Sequence, residues 1–181
     1  MTKSTVCFPT STKYPRVLGG ENGITTYNTI EIATDGTIGL GGYSMSSDMT
    51  DLSTKRSILA LMSSDGTYQW AKRIFASITT EINAIAFRTN NDEVIAVMGT
   101  SSDPWYMMRF KRSDGSLVKG YVGASTENMA IRHGSAFEYG DYLYLGIQNT
   151  NSRAFFLSFY LRDTDTNANA RIYFRAEETP S

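Results

Sequence analysis

Cysteine and histidine are almost absent from this chain: Cys7 and His133 are the single examples of each. One thiol excludes an intrachain disulfide framework and leaves the redox compartment open. One thiol and one imidazole together supply too few donors for a zinc or haem site. An excess of charge is missing too, with 17 basic residues against 18 acidic ones and no long run of either. That balance argues against nucleic-acid binding through a basic face and against an electrostatic membrane anchor. Long hydrophobic runs are lacking. Stretches such as Ile58 to Met62 and Val94 to Met98 have five residues, whereas roughly 20 are needed to span a bilayer as a helix. Met1-Thr2-Lys3-Ser4 leads into no apolar segment, so no secretory leader is expected in this chain. Asn-x-Ser/Thr acceptors are absent as well, which removes any argument from surface glycosylation.

Thr, Ser, Tyr, Phe, Ile and Gly are plentiful, while Lys, Glu and Leu are sparse. Branched and aromatic side chains fit a pleated, half-buried surface. No window carries a sustained i, i+3, i+4, i+7 apolar stripe, so no helix is expected. A chain of 181 residues is expected to form one domain, and a compact domain near this size hides about 70% of its unfolded surface.

The chain also repeats itself. Asp65-Gly66, Asp114-Gly115 and Asp163 fall at equal steps of 49 residues, each after an apolar run. A period of roughly 40–50 residues in a strand-rich chain predicts a propeller-type array of four-stranded antiparallel blades. The first full unit runs through Thr29 to Ala33, the turn Thr34-Asp35-Gly36, Thr37 to Tyr43, Ser57 to Met62, the turn Ser63 to Gly66, and Tyr68 to Ile74. Asp-Gly suits such turns because Gly tolerates positive φ. The second unit uses Asn83 to Phe87, Glu93 to Gly99, Trp105 to Lys111 and Leu117 to Val122. Ile131 to Phe137, Tyr142 to Ile147, Ala154 to Leu161 and Arg171 to Arg175 make the third.

Thr5 to Phe8 and Tyr14 to Gly20 read as the outer hairpin of a further, partial blade. The expected division is therefore 1–26 for that hairpin and 27–80, 81–127 and 128–178 for three blades, about three and a half in all. Closed propellers need at least about four. Three arrangements answer this: a piece of a longer propeller, an arc completed by other chains, or a compact β-sandwich.

The unit of strand, Asp-Gly, strand with Gly-Gly, apolar strand, Ser-Asp-Gly and an aromatic resembles the β-propeller repeats of many secreted and surface proteins. The resemblance covers Tyr14 to about Arg175 and implies an extracellular or cell-surface setting. Ser63, Asp65 and Trp70 also match the sialidase Asp-box, Ser-x-Asp-x-Gly-x-x-Trp, except that its Gly is displaced to Gly66. In that family the box is a fold element, so it implies a blade turn; a glycoside hydrolase is a third, weaker reading, disfavoured by the displaced Gly66.

Candidate chemistry is thin. His133 has no nucleophile motif beside it, and Cys7 reads as a small buried residue. Asp163-x-Asp165-x-Asn167 begins like a calcium loop, but Ala168 and Phe174 stand where a Gly and a Glu belong. Asp48 and Asp51 also offer oxygen ligands for calcium, with a solvated turn the preferred reading. Gly39-x-Gly41-Gly42 precedes no helix and forms no phosphate loop. No cofactor and no enzymatic activity are expected.

Binding is better served. Aromatics beside polar residues suit sugars and protein surfaces alike, and Asp103, Trp105, Tyr106 and Tyr142 are the candidate contact residues. Tyr121, Tyr139 and Tyr144 add to the aromatic stock. The expectation is a structural or interaction module with a protein partner or with copies of itself, the alternative being a carbohydrate-binding module.

Overall fold

The computed structural model describes residues 18–50, 54–74, 79–88, 92–99, 105–123, 133–139, 142–148, 154–160 and 170–176. The Thr5 to Phe8 strand, Cys7, Asp51, Asp103 and the Asp163 to Asn167 turn lie outside these residues. The described chain is all-β, in three antiparallel sheets of four strands.

The first sheet holds β1 (Thr25–Ile32), β2 (Ile38–Ser44), β3 (Arg56–Met62) and β4 (Tyr68–Arg73). The second holds β5 (Glu81–Phe87), β6 (Glu93–Gly99), β7 (Trp105–Lys111) and β8 (Leu117–Gly123). The third holds β9 (His133–Tyr139), β10 (Tyr142–Gln148), β11 (Ala154–Tyr160) and β12 (Ala170–Ala176). In each sheet the spatial order follows the chain order. A single helical turn, α1 (Ser47–Thr50), departs from the expectation of no helix. It sits in the polar loop between β2 and β3 and is too short to show an apolar stripe.

Three Asp-Gly turns are built alike. Gly36, Gly66 and Gly115 have φ of 84°, 81° and 68°, which a side chain would resist. The preceding carboxylate accepts the backbone N–H two residues on: Thr37 to Asp35 at 3.0 Å, Thr67 to Asp65 at 2.9 Å and Ser116 to Asp114 at 2.8 Å. This Asx geometry explains why Asp precedes the Gly.

Bulges recur on matching strands. Asn28 in β1 and Asn83 in β5 are each an extra residue against the second strand of their sheet. Gln69, Val118 and Tyr173 are extra residues in β4, β8 and β12. A bulge sharpens the local twist and re-aims the residues after it.

The sheets pack face to face with β5 at the crossing, against β1, β2 and β3 on one side and β9 on the other. Between the first two sheets lie Leu59, Leu61, Trp70, Ile74, Ile82, Ile85, Val94, Ala96, Met98 and Phe110. A second core joins Ala84, Ala86, Ile95, Val97, Trp105 and Met107 to Leu143 and Leu145 of the third sheet. Alternate β6 residues therefore face opposite neighbours, and the whole strand is buried. This is why Val94 to Met98 reads as an unbroken apolar run.

Candidate functional site

The outer face of the first sheet, turned away from the second, is apolar and unevenly covered. Register places Ile30 beside Leu40 and Ile32 beside Ile38, and in turn Leu40 beside Ala60 and Ile38 beside Met62. Residues paired this way share a face. Along β3 the face is closed, with Ile58, Ala60 and Met62 at 2%, 0% and 3% exposure. Ile38 and Leu40 on β2 are half-buried, and Ile30 and Ile32 on β1 are each 62% exposed. Tyr27 and Tyr68 lie on the same face by register. Burial, then the neighbouring Tyr68, pushes the Tyr27 phenol up to about 12.

The corresponding face of the second sheet shows what such residues do when covered. Two and four residues past the bulged Asn83 stand Ile85 and Phe87, just as Ile30 and Ile32 stand past Asn28. Ile85 is 2% exposed. Its cover is β2, where Gly39 and Gly41 leave room: a Cβ on Gly39 would lie 3.0 Å from Ile85 Cδ1 and 3.1 Å from Phe87 Cζ. One on Gly41 would come within 2.5 Å of Ile82 Cγ2. Glycine is required here by close approach.

At the other end of the stack, the third sheet turns its own outer face away from the second. Leu143 and Leu145 enter the core, so Tyr142, Tyr144 and Gly146 occupy the opposite face of β10. Tyr142 and Tyr144 stack at 6.2 Å between ring centroids. Tyr142 is 43% exposed, and its register partner Tyr139 is 70% exposed.

The interfaces between sheets carry polar ties. Trp70 Nε1 donates to the Arg112 carbonyl at 2.7 Å, and the Arg112 guanidinium reaches Asp35 Oδ2 and Thr37 Oγ1, both at 2.6 Å. The Thr37 backbone N–H, followed by Arg112, holds the Asp35 carboxyl down at about 2. Fully buried Arg109 makes a two-pronged contact with Glu93 at 2.6 and 2.9 Å. Arg88 lies 3.7 Å from Glu93 and 3.9 Å from Glu138 of β9, carrying the charge cluster into the third sheet. At the opposite end of the strands, Lys55 pairs with Glu81 at 2.6 Å and covers the Tyr43 ring at 4.0 Å. Asn28 Nδ2 bridges to the Ile82 carbonyl and to Asn83.

The binding aromatics read from the sequence are not brought together. Trp105 is 6% exposed in the core between the second and third sheets. Tyr106 is half-buried on the opposite face of β7, against the core shared with the first sheet. Tyr142 occupies the far face of the third sheet, and Asp103 lies outside the described residues. Trp70, the Asp-box-like aromatic, locks two sheets together. His133 opens β9 opposite Gln148. Asp48 accepts the Glu21 N–H at 3.0 Å and pairs with Ser46, and Ser46 first and Glu21 second hold its carboxyl low.

Sequence reasoning misses the outer face of β1, although the alternating Ile30-x-Ile32 was a usable signal. Among the described residues no group of three or more His, Cys, Asp or Glu could hold a metal ion. Among them, too, no helix is long and apolar enough to cross a membrane. No family model matches this chain, and no curated protein matches it.

Proposed function

We propose that the chain is a non-catalytic structural or interaction module of propeller-type blades, which assembles with other chains or with copies of itself. The carrying observation is the apolar half of the first sheet that stays open among the described residues: Ile30 and Ile32 at 62% exposure, against 2% for the corresponding Ile85. Like turns, like bulges and face-to-face stacking through first strands support reading the sheets as repeated blades. Among the described residues the three stacked sheets leave two outward faces, and exposed apolar surface of this kind favours association.

The scattered placement of Trp105, Tyr106 and Tyr142 favours this reading over a sugar site, which needs convergent contacts on one floor. Light scattering across a concentration series tests the proposal. Association is the expected result, and a clean monomer at high concentration that also captures no partner chain overturns it.

A further inference from the structure

Resting on that assembly reading, we infer that the uncovered half of the first sheet receives the third sheet of a second copy. The contact is head to tail, β9–β10 of one chain lying on β1–β2 of the next. Three observations lead to this occupant. Ile30 and Ile32 hold the positions of Ile85 and Phe87, two and four residues past a bulged Asn. Ile85 and Phe87 are covered by a first-and-second-strand hairpin whose Gly39 and Gly41 admit them. The cover that suits Ile30 and Ile32 is therefore another such hairpin with a small residue on its face.

The chain carries one at its open end: β9–β10 turns Gly146 outward beside Tyr144 and the exposed Tyr142 and Tyr139. Burial along β3 confines the contact to β1 and β2, which with β3 are the strands of the first sheet that already meet β5. Both halves of the joint thus sit on one chain at opposite ends, the arrangement of a heterologous interface.

The test pairs two variants whose changes fall on exposed side chains. Ile30→Glu with Ile32→Glu spoils one end, and Tyr139→Glu with Tyr142→Glu spoils the other. Each is checked for a native strand spectrum by circular dichroism and then followed by sedimentation velocity. Each variant alone is expected to associate at least about 100-fold more weakly than the wild type, because an unpaired carboxylate resists burial. An equal mixture is expected to recover a one-to-one pair, since each partner keeps one sound end.

Association that survives Ile30→Glu/Ile32→Glu in a folded protein overturns this inference and leaves the assembly reading standing. Loss in that variant with none in the tyrosine variant also overturns it, by pointing to a symmetric contact or another cover. A wild type that never associates removes the inference, and the assembly reading goes with it unless a different chain is captured.

Discussion

Trp70 and Arg112 come from different sheets, yet the indole N–H of one donates to the backbone carbonyl of the other at 2.7 Å. The bond ties β4 to the turn after β7, and the indole body fills the core between the two sheets. Trp70→Phe keeps most of the packing and removes the donor to the partly buried Arg112 carbonyl. A loss of about 1–3 kcal/mol is expected. Trp70→Ala also opens a cavity and is expected to cost about 3–5 kcal/mol. Urea unfolding of both variants separates the hydrogen bond from the volume.

Gly115 is a second point of that joint. Its φ is +68°, and a Cβ there would lie 2.8 Å from Lys72 Cε and 3.0 Å from Trp70 Cδ2. Gly115→Ala is expected to destabilise by about 1–3 kcal/mol through backbone strain, with crowding of the indole added. Gly120→Ala is the control, because its Cβ would meet only Met108 Cγ at 3.9 Å. Thermal melts of the two should differ clearly.

Arg109 and Glu93 form a buried charge pair. Arg109→Leu removes the two-pronged partner of Glu93, leaves it only the longer Arg88 contact at 3.7 Å, and is expected to cost about 3–5 kcal/mol. Adding Glu93→Leu is expected to restore part of that loss. A double-mutant cycle by chemical denaturation measures the coupling, and simple additivity would contradict the pairing.

Asp35 gives a pH dependence with a definite sign. Its carboxyl is held at about 2 in the folded chain against an ordinary 3.8, so the unfolded chain binds the proton more readily. The contribution is present above about pH 4 and fades as pH falls toward 2. Asp35 is largely exposed, so the effect is small, under about 1 kcal/mol. Melts of the wild type and Asp35→Asn should converge as pH drops from 4 to 2.

Much of the strand layout was legible because turn chemistry is local. Asp35-Gly36, Asp65-Gly66 and Asp114-Gly115 announce reversals through the φ that Gly permits, and β-rich runs lie between them. The bulges were not legible. Asn28 and Gln69 look like any polar strand residue, and only the packing between sheets decides that they are skipped. Arg109 is the one charged residue within Met-Met-Arg-Phe, and nothing in that stretch announces its partner. It is buried because Glu93, two residues from its register partner Ile95, meets it diagonally across the ladder. The open face of β1 was hidden for a related reason: Ile30 and Ile85 are chemically alike, and exposure depends on the next sheet and not on the residue.

The two-sided burial of β6 fixes how the molecule comes apart. Peeling away the first sheet wets Val94, Ala96 and Met98, while peeling away the third wets Ile95 and Val97. Neither outer layer can leave without stripping hydrocarbon from the same central ribbon. Melting should therefore pass through one sharp transition, and a trimmed version lacking either flank should lose its cooperativity and not persist as a smaller stable block.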